Sequence, residues 1–428
     1  MESYFSRLNY NYADKYYLSL SARTDGSSRF APDYRWGKFW SAGASWRVSQ
    51  EDFMSGLNWI SDLKIKASYG SQGNDNLGTY YAYLGLYSLG WNNIDFPGLI
   101  GSRLPTPELL WEKNNSLNGG IEFGIFDRIT VNFEYYQRKS VDLLFAVPLP
   151  ASTGFSSYDA NVGEMQNTGF DIDLNFIVLK KAKLKWTTDL NLSHYKNEIT
   201  KLPEGQEKII SGTKQWMVGH SVYDFFTYRS AGVDAANGDQ LWYVYDDDGV
   251  QTGTTNDYAE AKRAYTGTSS IPDITGGMTN SLRYGDFDLS FLVTFGIGGY
   301  IYDGSYAGLM GQTLGSNMHV DALNRWTPTN TVTDVPRLYQ YTNANATSDR
   351  FIVPSDYLSF RNLTVGYNLP RKFASVIGVS SARLSGTVTN LHTFSYRKGL
   401  DPQQSFNGTT DNAYTPLRTT SVALTMNF

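Results

Sequence analysis

The sequence predicts an all-β membrane protein: the C-terminal portion of a transmembrane antiparallel up-and-down β-barrel, about 13 strands long, with long loops at one end and short turns at the other. Three observations predict it. Apolar and polar residues alternate with a period of two in about a dozen segments of roughly ten residues, the length a tilted strand needs to cross a bilayer. The connections between segments are short and long by turns, as expected of outer-membrane barrels. The composition suits strands and turns, with 15% aromatic residues, 40 Gly and only 18% charged residues.

The segments follow in order. Leu8, Tyr10 and Tyr12 alternate with Asn9 and Asn11, and Ala13-Asp14-Lys15 turns the chain into Leu18, Leu20 and Ala22. After a polar loop, Trp40, Ala42, Ala44, Trp46 and Val48 form the next stripe, and a short helix is expected at 51–57. Leu63, Ile65, Ala67 and Tyr69 oppose Lys64, Lys66 and Ser68. Leu117, Ile121, Phe123 and Ile125 turn at Phe126-Asp127-Arg128 into Ile129, Val131, Phe133 and Tyr135. Phe170 to Val178 turns at 180–183 into Leu184, Trp186, Leu190 and Leu192, and here Asp171, Asp173, Asp189 and Asn191 suit a wet lumen. The stripe Phe287, Leu289, Phe291, Val293 and Phe295 precedes Leu363 to Leu369 and Leu384 to Val388. The chain ends on Val422, Leu424, Met426 and Phe428, all on one strand face. Trp40, Trp46 and Trp186 are expected at the membrane interface or facing lipid. Long loops are expected near 25–37, 73–107, 147–160, 201–273, 300–352 and 395–415.

The first strand runs into a short turn and the last ends on the turn side, so the number of strands is odd. Complete bacterial barrels of this kind have even numbers. Met1 to Arg7 lacks the basic stretch and apolar core of a signal peptide. Residues 1–428 therefore read as the C-terminal part of a longer barrel protein.

Composition also excludes. No basic stripe accompanies the net charge of -5, so nucleic acid is not an expected partner. With no Cys there is neither a disulfide framework nor a thiolate site. No apolar run reaches the 18 residues of a membrane helix. The histidines, His194, His220, His319 and His392, lie far apart, with no metal-ligand spacing, and His194 is expected at a strand rim. Asp246-Asp247-Asp248-Gly249 lacks the alternating ligands of a calcium loop and reads as a solvated turn. No catalytic residue, metal or cofactor is expected, and the chain is not read as an enzyme.

Several motifs occur in a telling order: Asp25-Gly26-Ser27-Ser28-Arg29-Phe30; Trp46 to Phe53; Leu63 to Gly70 leading to Gly73-Asn74; Trp111-Glu112-Lys113; Asn167-Thr168-Gly169-Phe170; Tyr357 to Tyr367; and Gly399-Leu400-Asp401-Pro402. Together they resemble SusC/RagA-type TonB-dependent outer-membrane transporters over nearly the whole chain. The resemblance implies a 22-stranded barrel of which this chain is the C-terminal part, the plug domain, TonB box and signal peptide lying outside it. It implies a Bacteroidetes-like outer membrane, a SusD-like lipoprotein as lid, the TonB complex as energy source acting through the plug, and uptake of oligosaccharides or peptides. Aromatic platforms on the long loops suit such ligands: Tyr80, Tyr81 and Trp91; Trp216, Trp242 and Tyr243; Trp326, Tyr339 and Tyr341. The same rings would equally serve to pack the loops or to meet the lid. The competing reading is a secreted β-rich carbohydrate-binding protein or adhesin, against which stands the stripe Phe287 to Phe295.

Overall fold

The computed structural model describes residues 1–246, 248–311, 315–338, 343–376, 378–410 and 414–428. Thirteen long strands form one antiparallel sheet in chain order: β1 (Glu2–Tyr12), β2 (Tyr16–Gly26), β3 (Trp36–Arg47), β4 (Ile60–Asn74), β5 (Glu112–Ile125), β6 (Ile129–Pro148), β7 (Ser157–Lys180), β8 (Leu184–Lys201), β9 (Ile274–Tyr284), β10 (Phe287–Ile297), β11 (Tyr357–Asn368), β12 (Ser381–Ser395) and β13 (Thr419–Asn427). Each strand lies beside its predecessor, the arrangement that hairpin connections produce. The strand number expected from the alternation is the number found.

The chain divides into two compact units, Met1–Asn175 with Tyr195–Ile209 and Met217–His220, and the remainder. In the first unit the register brings like faces together. Leu8 pairs with Leu20, Leu20 with Ala42, Ala42 with Tyr69 and Tyr69 with Leu117. Leu18, Leu20, Trp40, Ile65, Leu117 and Ile121 are all exposed on this face. Two tight turns share one conformation. Ala13 and Asp14, like Phe126 and Asp127, have φ between 51° and 55°, the left-handed pair that matches the twist of a hairpin.

In the second unit, Leu282 pairs with Leu289, Leu289 with Val365, Tyr367 with Leu384 and Leu384 with Leu424. The result is a second exposed apolar row, with Val365, Leu384, Val422 and Leu424 uncovered. A soluble sheet with one wet face buries the other; here the apolar face is the open one, as in a strand wall that meets lipid.

Buried apolar residues concentrate in the loops. Phe225, Tyr302, Ala307, Met310, Ala322, Val335 and Phe351 form one cluster in the second unit. Phe30, Phe39, Leu77, Ala82, Leu109 and Trp111 form one in the first.

Two expectations are corrected, and two of the expected long loops carry structure of their own. Residues 51–57 form no α-helix but one 3-10 turn, Asp52–Met54, which follows another at Val48–Gln50. Strands β6, β7 and β8 have 20, 24 and 18 residues, well beyond the roughly ten that cross a bilayer. The segments between β8 and β9 and between β10 and β11 are built, not irregular. The first carries Asp224–Tyr228 against Arg263–Ser269, and Gln240–Tyr245 between Ser230–Val233 and Gln251–Thr255. The second carries Tyr300–Tyr302 against Ile352–Pro354 and the helix α1 (Gly304–Leu309).

Candidate functional site

The polar face of the first unit follows from the alternation. Ser19 pairs with Gly43, Gly43 with Ser68 and Ser68 with Asn118. One step along, Ser45, Lys66, Gly120 and Glu134 lie in a row. Lys66 Nζ reaches Glu134 at 3.1 Å and Glu122 at 3.4 Å, and Lys64 joins Glu122 at 3.5 Å. Gly120 leaves the room for this, since a Cβ there would stand 2.7 Å from Lys66 Cε. Asn132 donates to Asp173 at 3.4 Å. Asp173, Lys64, Lys66 and Glu134 were expected on the polar face; Glu122, which alternates with Ile121 and Phe123, was not singled out. A groove of about 730 Å³ beside the row is lined by Arg23, Asp25, Gln72, Asn74 and Asp75 among others.

Several sequence motifs are the clasp at the root of the loops. The Ser27 hydroxyl donates to Asp75 Oδ2 at 2.8 Å, and Arg29 Nη1 to the Asp75 carbonyl at 3.0 Å. Phe30 stacks on Trp111, 5.3 Å between ring centres, and Trp111 Nε1 donates to the Arg35 carbonyl at 2.9 Å. Glu112 accepts from Asn74 Nδ2 at 2.7 Å and from the Leu144 amide at 2.9 Å. Gly73 is required because a Cβ would fall 2.0 Å from Phe39 Cζ. Within the second unit, Asp401 caps the turn Pro402–Gln404 and Leu400 packs with Ile301 and Val353.

At the other end of the strands, Glu51 gathers three donors: Tyr16 Oη at 2.6 Å, Trp46 Nε1 at 3.0 Å and Lys15 Nζ at 3.0 Å. These bonds, the Tyr16 hydroxyl foremost, lower the Glu51 carboxyl to a pKa of about 2. Tyr16 and Trp46 stack at 6.4 Å, a paired aromatic of the kind found in interface girdles.

The expected ligand platforms separate into two kinds. Tyr80, Tyr81 and Trp91 are exposed, and Arg29 lies 4.7 Å from the Tyr80 ring centre. Trp91 belongs to a hairpin, Leu86–Leu89 against Leu99–Arg103, whose tip uncovers Leu89, Ile94 (91% exposed) and Phe96. Trp216 and Tyr243 are half-buried. Trp242, 1% exposed, is core, set edge-on to Tyr258 at 5.0 Å. Trp326 is pinned, its Nε1 donating to the Ala235 carbonyl at 3.0 Å and its ring filling the space over Gly238. Tyr339 and Tyr341, like Asp247 of the acidic turn, lie outside the described residues.

Lys214 is buried in the second unit. Its ammonium donates to the Tyr223 carbonyl at 2.5 Å and lies 3.1 Å from the Phe225 ring centre. Burial pulls its pKa down to about 7, against a smaller upward pull from Asp224. Tyr306, under the Arg397 guanidinium at 3.5 Å, is pushed up to about 12 by burial and then by its bond to Asp321.

The histidines stay apart. His194 Nδ1 meets the Asp273 carbonyl at 2.5 Å, His319 accepts from the Asp321 amide at 3.2 Å, and His392 sits on Phe394. Among the described residues no group of three His, Asp or Glu is placed to hold a metal.

Comparison with known proteins bears on all of these features. Residues 1–391 match the family model described as TonB dependent receptor-like, beta-barrel. The chain is 30% identical to TonB-dependent receptor P3 of Formosa agariphila over 466 residues, covering 100% of this chain and 45% of that protein. It is 30% identical to TonB-dependent receptor SusC of Bacteroides thetaiotaomicron, covering 100% of this chain and 43% of that one. The solved structure of the RagAB peptide transporter superposes with a TM-score of 0.88 at 30% identity, over 99% of this chain and 47% of the other. The chain thus spans about half the length of the curated relatives it matches.

Proposed function

The chain belongs to the TonB-dependent receptor β-barrel family, an outer-membrane family of receptors and transporters and not of enzymes, and we propose that it supplies the C-terminal barrel wall and loops of an importer. The observation that carries this reading is the two-faced sheet: an exposed apolar row in each unit and, in the first, a charged, hydrogen-bonded row on the reverse. The first suits lipid and the second a wet passage. The solute is an oligosaccharide or a peptide, met at the loop ends by Tyr80, Tyr81, Trp91, Trp216 and Tyr243. Energy enters from the TonB complex through a plug domain that residues 1–428 do not supply.

A SusD-like surface lipoprotein acts as lid. The hairpin tip supports this, because Leu89, Trp91, Ile94 and Phe96 form an apolar surface with nothing of its own unit over it, and such surfaces mark partner sites. The secreted-adhesin reading needs a covered apolar sheet face, and Leu384 and Val422 are uncovered. The test is a deletion strain of the source organism grown on oligopeptides or on oligosaccharides as sole nutrient. Loss of growth on one of them, with a surface lipoprotein co-purifying with the receptor, is the expected result. Unchanged growth on both, with the receptor purifying alone, contradicts it.

A further inference from the structure

The register between β11 and β12 breaks once. Phe360 pairs with His392 and Asn362 with Thr389, so Arg361 alone faces two residues, Asn390 and Leu391. Such a bulge re-aims a side chain and is enriched beside functional sites. Asn390 is held at φ 52°, a conformation that L residues other than Gly seldom adopt and that Asn tolerates best. Its amide joins β11 to the segment before β13: Oδ1 accepts from Arg361 Nη1 at 3.0 Å, and Nδ2 donates to the Leu417 carbonyl at 3.0 Å.

Arg361 lines a cavity of about 520 Å³ between these strands and the segment leading into β13, together with Lys398, Arg418, Arg397 and Asp401. Arg397 is already matched by Asp303 at 2.6 Å. Among the described residues no ion pair links Arg361, Lys398 or Arg418 to a carboxylate, whereas Arg23, Arg47, Arg229 and Arg383 each hold one. The second acceptor on Arg361 is again neutral, Gln403 Oε1 at 2.5 Å from Nη2. Asp401 turns its charge to that glutamine, accepting from Gln403 Nε2 at 3.1 Å and from its backbone amide at 3.2 Å. The arrangement orients a guanidinium through two amide carbonyls, and among the described residues no carboxylate is paired with it. Arginine stays ionised at all relevant pH, and its planar fork fits a carboxylate.

We propose that this cavity is a carboxylate-recognition subsite: Arg361, oriented by Asn390 and Gln403, grips a carboxylate carried by the imported solute, with Lys398 and Arg418 at the rim. The proposal rests on the importer reading. The carboxylate is that of a peptide or that of a uronic acid, and the test separates the two.

The complete gene product, purified in detergent, is incubated with four probes in turn: a pool of random pentapeptides with free C-termini, the same pool amidated, oligogalacturonates, and their methyl esters. Retained material is quantified by mass spectrometry for the wild type, Arg361→Gln, Arg361→Lys and Arg418→Gln. Heat-modifiable migration on gels checks that each variant is folded. The expected result is at least tenfold greater retention of one acid pool than of its neutralised form. Arg361→Gln abolishes that ratio, Arg361→Lys restores part of it and Arg418→Gln lowers it severalfold. The acid pool that is retained identifies the source. Equal retention of acid and neutral forms overturns the subsite and leaves the importer reading standing. A ratio that Arg361→Gln leaves unchanged assigns the selectivity elsewhere and also overturns the subsite. No retention of any pool counts against both.

Discussion

The strand wall and the loop layer of this chain handle apolar side chains in opposite ways. In the wall, Leu20, Ile65, Val365 and Leu384 stand exposed along paired rows. In the loops, Phe225, Phe351, Trp242 and Leu109 are almost wholly buried. A loop layer in water must hide its apolar atoms, at roughly 25 cal/mol per Å². A wall in hydrocarbon gains nothing by hiding them; what it must satisfy internally is its backbone, which the ladder does for every strand between β1 and β13. The lesson is that one residue type serves two folding problems within one sequence, set by the solvent on each side.

That comparison is broken most severely in the loops. Phe351→Ala removes a ring from the cluster with Tyr302 and Met310 and is expected to cost about 3–5 kcal/mol. It should make the segment between β10 and β11 sensitive to protease added to intact cells, while the wall still assembles. Loss of the wall along with the loop would show that the two layers are not energetically separate.

A charge on the wall comes next. Val365→Arg on the exposed row is expected to destabilise by about 2–4 kcal/mol near the bilayer midplane, read as a fall in urea midpoint in lipid vesicles. Thr364→Arg, one step along the same strand, should cost far less. Similar costs at both positions would deny that the two faces meet different solvents.

Gly73→Ala tests the clasp between them. The added methyl meets the Phe39 ring, and overpacking of this kind costs about 1–3 kcal/mol. Phe39→Leu in the same chain should recover part of it, in the same urea assay.

The smallest effect is a pH dependence. Lys214 has a folded-state pKa near 7 against an ordinary value of 10.5. Between these values the unfolded loop binds more protons than the folded one, so stability rises with pH across that window. The cost is fully present below about pH 7 and fades toward pH 10.5. Protease resistance of the loop layer should therefore improve from pH 6.5 to pH 9, and Lys214→Met should flatten the response. A wild-type response as flat as the variant's would remove Lys214 from the account.

The wall was far more legible in the sequence than the loops were. Alternation marks a strand that is wet on one side, and Leu63 to Tyr69 or Phe287 to Phe295 announce themselves in isolation. The loop strands Asp224–Tyr228 and Gln240–Tyr245 have only five or six residues, too few for a period in the sequence to stand out. Whether a loop aromatic is core or platform depends on distant neighbours. Trp242 is buried by Tyr258, while Trp91 on its hairpin is not, and neither fact is written nearby. The bulge at Arg361 was hidden for a related reason: Phe360 and Leu363 are three residues apart and merely interrupt an alternation, and only pairing with Asn390 shows why. The motifs at 25–30 and 111–113 were visible as patterns, but their role as one clasp required β2, β3, β4 and β5 to follow one another in the sheet.

The most direct test of the central claim uses the absence of cysteine from residues 1–428, any cysteine elsewhere in the gene product being replaced by serine first. Single substitutions Ser421→Cys to Met426→Cys along β13, and Asn362→Cys to Tyr367→Cys along β11, are spin-labelled in the complete gene product in lipid vesicles. Collision with oxygen and with a water-soluble nickel chelate is then measured at each position. A period of two is expected, with positions 422, 424 and 426 on β13 and 363, 365 and 367 on β11 favouring oxygen and the intervening positions favouring the chelate. Uniform access of the chelate on both strands would contradict it.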